Sequence, residues 1–114
     1  LKGENLTVYG DGSQTRSFCF VEDLVDGLIK LMSSSYKRPV NLGNPEEYSM
    51  VQFAELVKDK INSSSDIMFT DLPVDDPKRR CPDISLAKSK LNWNPEVSLN
   101  EGLEKTIVWY SKII

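Results

Sequence analysis

The fold is decided by residues 6–32, which read LTVYGDGSQTRSFCFVEDLVDGLIKLM. Residues 6–9 are β-prone and run into the glycine-rich turn signal at residues 10–12, and the apolar run at 17–21 predicts a second strand. Apolar residues then recur at helical spacing, which predicts a helix to about residue 33 with one buried face. This order of elements is typical of an α/β domain.

The centre of the chain continues the alternation of strands and helices. Residues 39–43 predict a short strand, and Ser49 with Gln52 three positions later forms a capping box for a helix that keeps an apolar stripe to Ile61. Residues 66–70 predict another strand. The class is therefore α/β, with short strands alternating with helices.

A charged, proline-bounded loop is predicted for residues 72–82, before the C-terminal helices. Asp83 is expected to cap a short helix that runs to Leu91. Ser98 and Glu101 have the spacing of a second capping box, which predicts a helix at the end of the chain.

Composition bounds the class of protein. The chain has 114 residues, 39% hydrophobic and 27% charged, which predicts one globular domain over residues 1–114. Its net charge of −3 argues against nucleic acid as a partner. Two cysteines and no histidine indicate neither a metal site nor a disulfide scaffold. Leu1 in place of Met, with Gly3 as a helix cap, predicts that the chain begins within a longer protein.

The sequence predicts no catalytic residue in this chain. A nucleophile paired with histidine is excluded, and none of the four tyrosines has a lysine four positions later. Gly10 and Gly12 are followed by Thr15 where a dinucleotide fingerprint needs a third glycine.

Arginines are the candidate binding residues, because the planar guanidinium suits phosphate. Arg16 follows the turn at the entry to a predicted strand, and three cations lie in the loop at residues 75–83. Before any resemblance is considered, an arginine at the surface and a solvated charge run are the default interpretations of the same residues. Gln14 fits a turn residue, and Tyr9 fits either a core residue or a ring that stacks on a base.

Two segments carry a resemblance to a known family. Residues 6–18 with the following Val21-Glu22-Asp23-Leu24 resemble the extended short-chain dehydrogenase/reductase family. Residues 40–47, and the loop with Asp75-Asp76-Pro77 and Arg80, are similar to its UDP-glucuronate decarboxylase branch. The chain departs from that branch at Phe20, where tyrosine is frequent, and at Cys81, where a cation is common.

The resemblance implies the C-terminal, substrate-binding portion of an enzyme in the NAD(P)-binding Rossmann-like superfamily. NAD and the catalytic tyrosine and lysine would then belong to a half expected upstream. The backbone of Thr7, Val8 and Tyr9 would meet uracil, with the Tyr9 ring near the base. Gln14 and Arg16 would face the ribose and the diphosphate. Arg80 would clamp the diphosphate from the opposite side, while Arg79 is expected to be structural.

The activity implied for the intact enzyme is conversion of UDP-glucuronate to UDP-xylose and CO2 with bound NAD. Another nucleotide-sugar epimerase or dehydratase of the superfamily, or a non-catalytic nucleotide-sugar-binding module, stays open as an alternative. The expected partner is the UDP-sugar substrate, with a homodimer as the intact state. A membrane anchor upstream and a Golgi or cytosolic location are both compatible with the resemblance.

Overall fold

The computed structural model describes all residues from Leu1 to Ile114. It contains two compact units. Unit 1 comprises Leu1–Arg16, Tyr48–Arg80 and Leu103–Ile114, and unit 2 comprises Ser17–Glu47 and Cys81–Gly102. The assignment of residues 1–114 to one substrate-binding portion stays a prediction.

Strands and helices alternate along the chain, as predicted for the α/β class. None of the helices is both long enough and apolar enough to cross a membrane. The elements, in chain order, are β1 (Leu6–Tyr9), β2 (Thr15–Ser17), α1 (Val21–Ser33), β3 (Glu47–Ser49), α2 (Met50–Lys60), β4 (Ile67–Thr70), β5 (Arg79–Arg80), α3 (Ser85–Leu91) and α4 (Leu99–Tyr110).

Unit 1 contains a two-stranded parallel sheet of β1 and β4, in register from Leu6 opposite Ile67 to Tyr9 opposite Thr70. Helix α2 packs against β1. Its predicted capping box is confirmed: the Ser49 hydroxyl accepts from the Gln52 amide at 3.2 Å, and the Gln52 side-chain oxygen accepts from the Ser49 amide at 3.0 Å. Two otherwise unpaired donors at the start of the helix are thereby satisfied.

The second sheet has the strand order β3-β2-β5. Strand β2 lies at residues 15–17, so the strand predicted at 17–21 is wrong in position. The backbone at residue 15 instead bonds to the distant loop, since the Thr15 amide donates to the Lys78 carbonyl at 2.9 Å. The loop predicted at 72–82 accordingly contains the short strand β5. Pairing across this sequence distance cannot be read from local periodicity.

The core of unit 2 is built around Trp93, which is 1% exposed and packs with Ile84, Ala87 and Leu91. The indole nitrogen of Trp93 donates to the Asp23 carbonyl at 3.0 Å. The Asp23 carboxylate accepts the backbone amides of Glu96 and Val97 at 3.1 and 2.9 Å. Helix α1 is thus tied to the segment that follows α3. The strand predicted at residues 39–43 does not form.

Helix α1 does not bury the apolar face that its periodicity predicts. Leu28, Ile29 and Met32 are 47%, 57% and 85% exposed. The helix instead packs through Gly27, where an added Cβ would lie 3.0 Å from side-chain atoms of Leu42 and Trp93. A glycine contributes nothing to a hydrophobic pattern, so the true contact line was invisible to that analysis.

Both C-terminal helices form as predicted, but the N-cap of α3 is Ile84, which makes no side-chain cap hydrogen bond, so the cap predicted at Asp83 is wrong. The Asp83 carboxylate accepts from the Ser85 amide at 2.9 Å and also from the Ser85 hydroxyl. These hydrogen bonds lower the pKa of Asp83, and the bond from the hydroxyl contributes more than the bond from the amide. At α4, the Ser98 hydroxyl accepts from the Glu101 amide at 3.2 Å.

Candidate anion-binding site

Arg16 and Arg80, the two arginines predicted to bind phosphate, lie side by side in the second sheet. Strands β2 and β5 are parallel, with Arg16 in register with Arg80. Residues in register on neighbouring strands project from the same sheet face, about 4.8 Å apart. Arg79 is in register with Thr15 and belongs to the other face. Two residues separated by 64 positions are therefore brought together.

The Arg16 guanidinium is fixed at two points. Its Nη1 donates to the Thr15 carbonyl at 2.7 Å, and its Nη2 donates to the Asp76 carboxylate at 2.5 Å. The Arg16 side chain is only 18% exposed and that of Asp76 is 23% exposed. A guanidinium has five N–H donors, so most of its capacity remains after these two bonds.

Arg80 differs from its neighbour because it is exposed and takes part in none of the ion pairs of the structure. Like charges directly opposite each other on neighbouring strands are destabilising. The Asp76 carboxylate offsets the charge of Arg16, whereas the charge of Arg80 is available to a ligand. The pair is therefore suited to an anion with several oxygens, such as a phosphate or diphosphate.

Gln14 lies inside the turn that leads to Arg16. It is 6% exposed, and its side-chain nitrogen donates to the Tyr9 carbonyl at 2.8 Å. The backbone carbonyl of Gln14 accepts from the Met50 amide at 3.0 Å. Gln14 thus stabilises the turn through its hydrogen bonds to the backbone. Its contact with a ribose stays a prediction.

The predicted uracil-binding segment is strand β1. Thr7 is exposed, Val8 is 4% exposed, and Tyr9 is 51% exposed at the C-terminal end of the strand. Tyr9 is therefore not a core residue, and its ring is accessible for stacking. Any contact of Val8 with a ligand would have to use its backbone, because its side chain is buried.

Asp76 is the residue that the sequence reasoning missed. It lies in the charged loop and in a segment that carries the resemblance, and the signal that could have found it is its place in an acidic pair immediately before Pro77. Its neighbour Asp75 is exposed. Sequence could not choose between them, because the ion pair with Arg16 spans 60 residues.

Neither a metal nor a thiol nucleophile is indicated by the geometry. No group of three or more histidine, cysteine, aspartate or glutamate side chains is placed to hold a metal ion. Burial of the thiol, and secondarily the charge of Asp23, raise the pKa of Cys19. Cys19 is thus a poor nucleophile near neutral pH.

The family model described as GDP-mannose 4,6 dehydratase matches residues 1–106. The chain belongs to this family. Its fold is the one predicted, that of the extended short-chain dehydrogenases/reductases.

Curated members of this family support the predicted branch. The chain is 55% identical over 112 residues to UDP-glucuronic acid decarboxylase 1 of Danio rerio, covering 98% of this chain and 27% of that protein. It is 54% identical over 103 residues to UDP-glucuronic acid decarboxylase 3 of Arabidopsis thaliana, covering 90% of this chain and 30% of that protein. The chain thus spans between a quarter and a third of these relatives, and the match lies in their C-terminal part. The predicted resemblance is confirmed.

Solved structures of the same fold bind UDP-sugars. UDP-glucose 4-epimerase of Thermotoga maritima with UDP-glucose has a TM-score of 0.93 and 28% identity, over 98% of this chain and 36% of that chain. UDP-glucuronic acid 4-epimerase of Bacillus cereus in complex with UDP-glucuronic acid and NAD has a TM-score of 0.89 and 27% identity, over 99% and 37% of the two chains.

Proposed function

We propose that this chain is the UDP-sugar-binding part of a UDP-glucuronate decarboxylase, a lyase that releases CO2 from UDP-glucuronate and yields UDP-xylose with bound NAD. The observation that carries the proposal is the pairing of Arg16 with Arg80 on one sheet face, in a chain 55% identical to decarboxylases. Two guanidiniums side by side suit a diphosphate better than a single phosphate, because each can donate hydrogen bonds to the oxygens of one phosphate group.

The residues of this chain do not fit NAD itself. The glycine-rich turn could suggest a dinucleotide site, but an added Cβ at Gly12 would lie 2.9 Å from the side chains of both Val51 and Val8. Gly12 is therefore packed against protein rather than open to a pyrophosphate. The proposal places NAD on residues outside this chain and assigns no step of hydride transfer to it.

The role proposed for this chain is positioning. Arg16 and Arg80 would hold the diphosphate, and the exposed Tyr9 ring would stack on uracil. Binding energy from the nucleotide would then hold the sugar in reach of the reacting groups, which lowers the barrier by orientation rather than by proton transfer.

A 4-epimerase is the second candidate, because two of the solved relatives with a bound UDP-sugar are 4-epimerases. The arginine pair would bind the diphosphate and make no contact with the sugar, so it is compatible with either reaction. The product released distinguishes the two: a decarboxylase yields a pentose nucleotide and CO2, whereas an epimerase conserves every carbon.

Calorimetric titration with UDP tests the binding site. We expect Arg16→Ala and Arg80→Ala each to weaken binding by about 1.5–3 kcal/mol, as for a hydrogen bond to a charged group. Arg79→Ala is the matched control, since it removes the same charge from the other sheet face and should leave binding within a factor of about two. If both test variants keep the UDP affinity and the melting temperature of the unmodified protein, the two arginines do not form the UDP-binding site.

The activity is tested in a chimera in which this chain replaces the matching C-terminal segment of the zebrafish decarboxylase. A chimera that folds and releases CO2 from UDP-glucuronate supports the proposal. A folded chimera that binds UDP-glucuronate but only epimerises it, or leaves it unchanged, contradicts the decarboxylase assignment.

A further inference from the structure

The ion pair between Arg16 and Asp76 is well shielded for one in an exposed loop. The two side chains are 18% and 23% exposed, and the distance between Nη2 and Oδ1 is 2.5 Å. Residues 71–75 of the same loop are all exposed, and Val74 is fully so. The carboxylate of Asp76 is therefore the point at which the loop turns inward.

The backbone sets the position of this carboxylate. The Asp76 amide donates to the Pro73 carbonyl at 3.1 Å, which closes a turn just before it. Two residues later, the Lys78 carbonyl accepts from the Thr15 amide at 2.9 Å, which joins the loop to β2. Asp76 is thus held on both sides, and its contact with Arg16 is a consequence of the loop's own geometry.

The contacts of Arg16 define the plane of its guanidinium. Nη1 is bound by a carbonyl of its own strand and Nη2 by the carboxylate, so the group cannot rotate without breaking one bond. Three of its five donors remain for a ligand. The carboxylate also reduces the repulsion between Arg16 and the neighbouring Arg80.

We infer that Asp76 is a positioning residue, which fixes the Arg16 guanidinium in the orientation that the diphosphate of a nucleotide requires. The inference rests on the proposed function of the same site. Asp76 need not leave when the ligand binds, because a guanidinium can donate to a carboxylate and a phosphate at once. The opposite role, in which Asp76 occupies the place of a phosphate and competes with it, predicts an effect of opposite sign.

The test compares UDP with uridine, which lacks the phosphates. We expect Asp76→Asn to weaken UDP binding about ten-fold and to leave uridine binding unchanged. Asp75→Asn is the matched control, since it makes the same change of charge one residue away at an exposed position. Asp76→Glu keeps the charge but moves the carboxylate, and it should recover part of the loss. If Asp76→Asn does not fold, the Glu variant alone should still lower UDP affinity without changing that for uridine.

Each other outcome overturns the inference. If Asp76→Asn loses equal affinity for UDP and for uridine, Asp76 only stabilises the fold. If the variant binds UDP more tightly, Asp76 competes with the phosphates for Arg16. If Asp76→Asn binds UDP as tightly as the unmodified protein while Arg16→Ala binds it more weakly, Asp76 has no positioning role and the proposed function is unaffected. Failure of the unmodified protein to bind UDP would remove both.

Discussion

Asp23 in unit 2 and Asp76 in unit 1 are both largely buried carboxylates, but they have different kinds of partner. Asp23 accepts two backbone amides, those of Glu96 and Val97. Asp76 accepts from the side chain of Arg16, which keeps unused donors. The backbone amides that Asp23 binds have no further donors for a ligand, so this carboxylate stabilises the fold. A carboxylate bound to a guanidinium can orient that group for something else.

The two units therefore predict different responses to mutation. Changes around Asp23 and Trp93 should lower stability, whereas changes at the arginine pair should lower binding and leave the fold intact. A variant near Trp93 that lowers only binding, or a variant of the arginine pair that lowers stability, would contradict this distinction.

The largest expected effect is at Trp93, the most buried large side chain. Trp93→Ala should lower the free energy of unfolding by about 3–5 kcal/mol, because it leaves a cavity and removes the hydrogen bond to Asp23. Denaturant titration measures this. Trp109→Ala is the matched control, since Trp109 is 57% exposed and should cost far less. Equal losses in the two variants would show that the core of unit 2 is not built on Trp93.

Gly12 sharpens the comparison from the side of unit 1. Its φ is +74°, and an added Cβ would lie 2.9 Å from two valine side chains. Gly12→Ala should therefore cost roughly 2–4 kcal/mol, from backbone strain together with overpacking. Gly3→Ala has the same backbone strain at φ +75° but open space around it, so it should cost about 1 kcal/mol. Similar values for both would mean that packing at Gly12 is relaxed.

Asp23→Ala should lower the free energy of unfolding by about 1–3 kcal/mol, because two backbone amides lose their acceptor. Asp26→Ala, on the same helix, removes only an exposed pair with Lys30 and should cost less than about 0.5 kcal/mol. Thermal denaturation of both variants gives the difference. A loss at Asp26 as large as that at Asp23 would contradict the role of the buried carboxylate.

Local rules predicted those parts of the fold that are determined locally. The capping box at Ser49 depends on hydrogen bonds within three residues and forms as expected. The short helix after Asp83 also forms, although its N-cap is Ile84. The strand expected at 39–43 and the buried stripe of α1 were wrong. Those features depend on which surface meets another, and hydrophobic periodicity does not report the close packing at Gly27.

The candidate site could be predicted in its residue types but not in its geometry. The sequence and the resemblance named Arg16 and Arg80, yet only the register of β2 with β5 places them on one face. Asp76 required the full path of the loop, since its partner is 60 residues away. Charge patterns identify candidate binding residues, and long-range pairing decides which of them meet.

The two cysteines are expected to differ in reactivity, because Cys19 is partly buried and Cys81 is exposed. Burial, and after it the charge of Asp23, raise the pKa of Cys19, so the reactive thiolate is a smaller fraction at any given pH below that pKa. At pH 8, iodoacetamide should modify the exposed Cys81 well before Cys19. Reaction at Cys19 should rise as the pH increases beyond the ordinary thiol range. Mass spectrometry of the alkylated protein measures both rates in one sample. Equal rates at pH 8 would show that Cys19 is accessible and ionised, and that the environment of Asp23 is more open than its hydrogen bonds indicate.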